Sequence, residues 1–156
     1  MYSSRQVIKK LIKKNISISV AESCTGGLIS NTIVKQDGVS NIFSFGLVCY
    51  SNVSKIKYLS VSKKTLDKFG AVSSNVAEEM INNLYKKEKT KITVSTTGIA
   101  GPKGGTRTKP VGLVYIGIKT GKKIVINKCN FKNKGRAYIQ KQAVKKSLNL
   151  LFKLIK

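Results

Sequence analysis

Apolar positions along the 156-residue chain follow two different periods, one typical of strands and one of amphipathic helices. Alternating or β-branched runs predict strands at 16–21, 42–50, 91–97, 111–118 and 123–131. Apolar residues at helical spacing predict helices at 3–14, about 25–35, 54–59, 62–70, 73–87 and 135–156. We therefore expect one α/β domain over residues 1–156, with three α/β/α layers and a mixed central sheet.

Local signals refine three of these elements. Gly121 separates the last two strands, which predicts a hairpin. Ser62 precedes the fourth helix and Gly70 follows it, so we expect Ser62 to cap that helix and Gly70 to end it.

Three stretches that follow strands carry groups used in site chemistry, namely 21–27, 50–55 and 97–112. The first leaves a strand through Glu-Ser-Cys-Thr-Gly-Gly and opens a helix, whose free N–H groups can bind an anion. Ser23 and Thr25 could equally do no more than cap that helix. The third is rich in glycine and suits phosphate binding, but it matches neither a Walker loop nor a dinucleotide motif.

The net charge of +24 suggests an anionic partner, but the kind of basic residue argues against nucleic acid as the main one. Lysine supplies 27 of the 30 basic side chains and is scattered along the chain. Base readers and phosphate clamps depend more on arginine. Such a surface still attracts phosphorylated small molecules.

The absence of histidine excludes Ser-His and Cys-His catalysis and histidine metal sites. Six acidic residues supply a carboxylate metal site poorly. The three cysteines are odd in number and far apart, which fits a reducing cytoplasm. The chain has no apolar run of transmembrane length and no signal-peptide core, so we expect a cytoplasmic protein without membrane contact.

Without histidine, a serine nucleophile needs another proton acceptor. A desolvated lysine can lose its proton near neutral pH, so Lys55 is a candidate base and Tyr50 could relay the proton. The alternative is that Lys55 is one more solvated lysine. A Cys24 nucleophile is a weaker alternative, because only a helix N-terminus and diffuse lysine charge would lower its pKa.

Five motifs occur in order along the chain: Ala21-Glu-Ser-Cys-Thr-Gly-Gly27, Tyr50-Ser-Asn-x-x-Lys55, Gly70-Ala-Val-Ser73, Thr97-Gly-Ile-Ala-Gly-Pro-x-Gly-Gly105 and Lys109-Pro-Val-Gly112. Together they resemble the CinA C-terminal domain family, the nicotinamide-nucleotide amidohydrolases also called PncC. The resemblance covers nearly the whole chain. It is closest to the stand-alone form, which lacks the molybdopterin-binding-like N-terminal domain of full CinA.

The resemblance implies deamidation of nicotinamide mononucleotide to nicotinic acid mononucleotide and ammonia, in pyridine nucleotide recycling. It implies a homodimer that works without metal or cofactor. Ser23 would be the nucleophile, activated by Lys55 and Tyr50. N–H groups near Thr25, Gly26 or Gly98 would hold the oxyanion. Substrate contacts are expected at Glu22, Thr25, Gly26, Gly27, Ser40, Thr97, Gly98, Gly101, Gly104 and Arg136. Among these, Glu22 would face the cationic ring, Arg136 and the 97–105 loop would face the phosphate, and Ser40 would line the same pocket.

One segment departs from the family pattern. The family usually has Phe-x-Gly-Asp-Arg-x-x-x-Arg after the last strand, whereas here Arg136 matches the first arginine and Gln140 stands at the second. Lys134-Gly135 replaces the Gly-Asp pair, and Lys132 or Lys134 could supply the missing charge. The competing hypothesis is a non-catalytic nucleotide- or nucleic-acid-binding member linked to competence.

Overall fold

The computed structural model describes residues 2–155. The strands are β1 (Ile18–Glu22), β2 (Phe43–Val48), β3 (Ile92–Gly98), β4 (Leu113–Thr120) and β5 (Lys123–Asn130). The helices are α1 (Ser4–Lys13), α2 (Leu28–Val34), α3 (Asn52–Leu59), α4 (Lys63–Phe69), α5 (Ser74–Glu88) and α6 (Arg136–Leu154). Every predicted strand and helix is present, and most bounds move by one to three residues.

The strands form one mixed sheet in the order β2-β1-β3-β4-β5. β1 is parallel to both β2 and β3, while β4 is antiparallel to β3 and to β5. The chain leaves β1 for β2 on one side and then crosses to β3 on the other. Ligands bind at such a switch point, outside the carboxyl ends of the strands. The mixed sheet and the β4–β5 hairpin are confirmed.

Helices cover both faces of the sheet, which confirms the three-layer arrangement. One apolar cluster joins the sheet to α1, α2 and α6 and includes Val20 and Ile139. A second joins the opposite face to α3, α4 and α5 and includes Ala21 and Met80. Val20 and Ala21 fall in different clusters because successive side chains of a strand point to opposite faces. Over residues 2–155, no helix is long and apolar enough to cross a membrane.

Two helix starts differ from the expectation. Residues 23–27 form a turn rather than helix, and α2 begins only after Gly27, whose φ of 92° favours glycine. Ser62 precedes α4 but makes no side-chain cap; its backbone N–H donates to Glu79 Oε2 at 2.7 Å instead. The predicted Ser62 cap is therefore wrong.

Strand β2 forms an open edge of the sheet and leaves several apolar side chains in solvent. Residues 38–54 carry no charged side chain although the chain has a net charge of +24. Within them Phe45, Val48 and Val53 are exposed. We call this surface, formed by β2 and the first turn of α3, the uncharged face.

Candidate active site

Ser23 and Lys55 meet beyond the carboxyl end of β1. The Ser23 backbone N–H donates to the Thr96 carbonyl of β3 at 3.0 Å, which extends the parallel ladder one residue past β1. A capping box between Ser51 and Ser54 fixes the start of α3 and so places Lys55 in its first turn. Lys55 Nζ lies 2.9 Å from Ser23 Oγ. The two side chains are 1% and 7% exposed, so the pair is almost completely withdrawn from water.

Burial of Lys55 shifts its amine towards the neutral form. Its Nζ donates to the backbone carbonyls of Cys49 at 3.0 Å and Tyr50 at 3.3 Å. A neutral amine has two N–H groups for these carbonyls and one lone pair left for the Ser23 hydroxyl. Burial lowers the pKa of Lys55 from its ordinary 10.5, and Cys49 and Cys24 oppose that shift. Within residues 2–155, no carboxylate lies within salt-bridge distance of this amine.

A cavity of about 200 Å³ opens onto this pair. It is lined by Ser23, Cys24, Tyr50, Lys55, Ala71, Val72, Thr97, Gly98, Ala100 and Arg136. The fold thus brings together the three residues expected to be catalytic and three of the expected substrate contacts, namely Thr97, Gly98 and Arg136. A Cβ at Gly98 would lie 2.7 Å from the Leu113 carbonyl oxygen, so the close approach of β3 and β4 here requires glycine.

Tyr50 and Arg136 contact each other beside the cavity. Arg136 Nη2 donates to the Tyr50 hydroxyl at 2.6 Å, and Nη1 donates to the Gly101 carbonyl at 2.9 Å. The Tyr50 side chain is 59% exposed. Among the described residues its hydroxyl is hydrogen-bonded to Arg136 and to neither Ser23 nor Lys55. A proton relay through Tyr50 therefore stays a prediction.

Glu22 is fully buried and holds the start of α2. Its carboxylate accepts from the backbone N–H groups of Gly27 and Ile29, both at 3.0 Å, and from that of Ser30 at 2.8 Å. The hydroxyls of Thr25 and Ser30 also donate to it, at 2.6 and 2.7 Å. The reading in which Ser23 and Thr25 only cap the helix is therefore wrong. A carboxylate is stabilised near the positive, N-terminal end of a helix, and the position of Glu22 just before α2 was a signal of this in the sequence.

These contacts occupy Glu22 away from the cavity. Because its oxygens already accept five hydrogen bonds, the structure gives no support to a Glu22 that faces a cationic ring.

The remaining expected substrate contacts lie outside the cavity lining. Thr25 is buried and hydrogen-bonded to Glu22 and Thr96. Gly26 and Gly27 form the turn into α2, and Gly104 lies exposed in the loop after β3. Gly101 is buried and contributes its carbonyl to Arg136. Ser40 precedes β2 and is exposed at the opposite end of that strand, so the fold does not bring it to the cavity.

Sequence reasoning missed two features of the cavity. Ala71, Val72 and Ala100 give it an apolar wall, and the first two belong to the Gly-Ala-Val-Ser motif. Gln140, noted only as a departure from the family pattern, donates from Nε2 to the Cys24 carbonyl at 2.9 Å. Burial raises the pKa of the Cys24 thiol to about 12, which leaves little thiolate at neutral pH and weakens the alternative of a cysteine nucleophile.

Replacing Glu22 with glutamine should destabilise the fold by about 3 kcal/mol, because the new NH₂ group would face backbone donors without solvent access. Urea unfolding followed by circular dichroism would measure the loss. Glu78→Gln, on the exposed side of α5, is the matched control and should change stability by less than about 0.5 kcal/mol. Equal stability of the two variants would contradict an anchoring role for Glu22.

Comparison with known proteins assigns the whole domain to one family. The CinA C-terminal domain model matches residues 2–155. A "Putative competence-damage inducible protein" of Caldicellulosiruptor saccharolyticus is 49% identical over 150 residues, covering 96% of this chain and 36% of the relative. A protein of the same name from Clostridioides difficile is 48% identical, over 93% of this chain and 34% of its own length. The chain thus spans about a third of these relatives.

Solved structures agree with this placement. The competence/damage inducible protein CihA from Agrobacterium tumefaciens is 34% identical, with a TM-score of 0.94 over 98% of this chain and 93% of that one. A competence or damage-inducible protein from Enterobacter asburiae is 26% identical, with a TM-score of 0.93 and full coverage of both chains. The fold described above is therefore shared with proteins of this name.

Proposed function

Because the chain belongs to the CinA C-terminal domain family, we propose that it hydrolyses the amide of nicotinamide mononucleotide to nicotinic acid mononucleotide and ammonia. The observation that carries this proposal is the buried contact of 2.9 Å between Ser23 Oγ and Lys55 Nζ beside an open cavity. A hydroxyl paired with an amine of lowered pKa is an activated nucleophile.

The proposed reaction has two stages. Neutral Lys55 takes the Ser23 proton while Oγ attacks the carboxamide carbon, and the tetrahedral intermediate expels the amine with that proton as ammonia. Lys55, neutral again, then takes a proton from water, whose oxygen attacks the acyl-serine ester. Collapse of the second intermediate returns the proton from Lys55 to Ser23 and releases the carboxylic acid, which loses its proton to water and leaves as the carboxylate.

Backbone N–H groups of the turn after Ser23 are available for the oxyanion. Those of Cys24 and Thr25 have no acceptor among the described residues, whereas that of Gly26 is engaged by the Ser23 carbonyl at 3.1 Å. A preorganised donor of this kind contributes roughly 3 kcal/mol to the transition state. We therefore assign Cys24 and Thr25, rather than Gly26, as oxyanion donors.

The size and polarity of the cavity suit the nicotinamide end of the substrate. Ala71, Val72 and Ala100 offer an apolar wall to a flat ring. Arg136 is exposed beside Tyr50, where it can exchange its hydroxyl partner for a phosphate oxygen outside the cavity. The strongly positive surface would increase the local concentration of such an anion.

The direct test is release of ammonia and nicotinic acid mononucleotide from the intact chain, with and without a chelator. Nicotinamide riboside, which lacks only the phosphate, is the matched substrate and should be turned over with a higher KM. Chelator-resistant turnover that prefers the nucleotide supports the proposal. Absence of product from the folded protein would contradict it.

A binding module without catalysis is the second candidate. The names of the relatives refer to competence and damage, and the net charge of +24 would hold nucleic acid. Single-stranded DNA binding that shows a defined site size at physiological salt, in a protein that does not turn over the nucleotide, would favour this candidate. Binding that disappears as the salt concentration rises would reflect only the non-specific attraction of a strongly cationic protein for nucleic acid.

We also propose that two copies pair through the uncharged face. Elsewhere the surfaces of two such cationic chains repel each other, whereas this face joins an open strand edge to exposed apolar side chains. Val53→Lys should shift the protein to monomer in light scattering, since Val53 is 72% exposed on this face. Val34→Lys, at an exposed apolar position outside residues 38–54, is the control. A monomeric wild type would contradict the pairing.

A further inference from the structure

Gln140 joins α6 to the turn that carries the nucleophile. It lies in the second turn of α6, 116 residues from Cys24 along the chain, and is half-buried. Its Nε2 donates to the Cys24 carbonyl at 2.9 Å. Cys24 lines the cavity and directly follows Ser23. The contact therefore reaches the peptide next to the proposed reacting hydroxyl.

Because a peptide unit is planar, the hydrogen bond from Gln140 to the Cys24 carbonyl also affects the direction of an oxyanion donor. The peptide between Cys24 and Thr25 is planar, so a fixed direction of its carbonyl fixes the opposite direction of the Thr25 N–H. That N–H has no acceptor within residues 2–155, and it follows directly on Cys24, which lines the cavity. The turn's other described anchors include the Ser23 N–H on Thr96, the Thr25 hydroxyl on Glu22 and Thr96, and the N–H groups of Gly26, Gly27 and Leu28 on Ser23, Glu22 and Thr25. None of these acts on the Cys24 carbonyl.

We propose that Gln140 is a positioning residue, whose amide orients the turn after Ser23 so that Ser23 Oγ faces the carbonyl carbon of the substrate while the Thr25 N–H donates to the oxygen of the same carbonyl. This inference rests on the proposed nucleophile and assigns a role to the position that departs from the family pattern. A neutral amide suffices for it, because the task is to donate one hydrogen bond to a carbonyl.

Two variants separate the hydrogen bond from the bulk of the side chain. Gln140→Met keeps length and volume but removes the donor, and Gln140→Arg keeps a donor. We expect kcat on nicotinamide mononucleotide to fall about tenfold in the methionine variant with KM changed less than about twofold, since a small misplacement of reacting groups affects the chemical step. The arginine variant should stay within about threefold of wild type. Gln142→Met, the same change two residues further along α6, should have no effect on kcat.

A second readout does not depend on the natural substrate. A fluorophosphonate reacts with an activated serine: the Ser23 Oγ–P bond forms, fluoride leaves, and the serine proton passes to Lys55 and then to solvent. Its rate constant, measured by intact mass, should also fall about tenfold in Gln140→Met and not in Gln142→Met, with the melting temperature of each variant recorded.

The outcomes distinguish this inference from the proposed function. Labelling that depends on Gln140 in a protein that does not turn over the nucleotide would support the inference and contradict the substrate assignment. Equal labelling rates in wild type and Gln140→Met, or no labelling of Ser23 in wild type, would overturn the inference. A fall in kcat together with a rise in KM that Gln140→Arg does not rescue would also overturn it, because it would indicate a general loss of structure.

Discussion

Ser23→Ala should lower kcat for nicotinamide mononucleotide by about 10⁴-fold while leaving the fold intact. The substitution removes the only atom that forms the acyl ester in the proposed reaction. Little structural cost is expected, because the Ser23 hydroxyl is not used to cap α2 and Glu22 holds that helix through its own contacts. Steady-state ammonia release and a denaturation curve on the same preparation would measure both effects.

Two control variants test whether the loss of activity is specific to the hydroxyl of Ser23. Ser44→Ala changes an exposed serine of β2 and should keep full activity. Cys24→Ala removes the neighbouring thiol, whose pKa burial raises to about 12, and should retain most of the activity. Activity that survives Ser23→Ala but disappears in Cys24→Ala would identify Cys24 as the nucleophile. Activity that survives both substitutions would indicate a directly activated water.

Lys55→Met should lower kcat/KM by about 10³-fold and should also remove the pH dependence that the proposed base confers. The wild-type rate should rise with pH and level off above the lowered pKa of Lys55, since only the neutral amine accepts the serine proton. Profiles of kcat/KM for wild type, Lys55→Met and Lys57→Met would test this. Lys57 is an exposed lysine on the same helix, and its variant should keep the wild-type profile.

The same pKa shift predicts a change in stability. In the unfolded chain Lys55 binds its proton up to its ordinary pKa of 10.5, while burial lowers that pKa in the folded protein. Between those two pH values the unfolded state binds more protons, so the contribution of Lys55 to the unfolding free energy rises with pH. The difference between wild type and Lys55→Met should show this slope, and a rate profile and stability difference that are both flat would contradict a neutral Lys55.

The sequence alone was sufficient for the elements, whereas for the central pair it offered candidates beside simpler alternatives. The periodicity of apolar residues located the amphipathic helices, and β-branched or alternating runs located the strands, including the buried β1 and β3. The absence of histidine made Lys55 a candidate base for a serine, but a helix-capping Ser23 and a solvated Lys55 stayed open until the family resemblance assigned both residues a role. The resemblance supplied Arg136, Thr97 and Gly98, which the fold brings to the same cavity.

Other parts of the site depend on packing that no local pattern contains. Glu22 was expected to face the substrate, but its burial beneath α2 is decided by the path of the chain after Gly27. The partner of the Tyr50 hydroxyl lies 86 residues away on α6, and that of the Cys24 carbonyl lies 116 residues away. Ser40 was assigned by similarity of position, and the register of β1 with β2 places it at the far end of the sheet.

Arg136 and Gln140 are one helical turn apart on α6 and contact two different parts of the site. The first contacts Tyr50 beside the cavity, and the second contacts the turn behind Ser23. Helix α6 is therefore a mechanical link: a small slide or rotation along its axis would change access to the cavity and the alignment of the nucleophile in the same movement. Any contact elsewhere on this helix that shifts it would tune opening and chemistry together rather than one at a time.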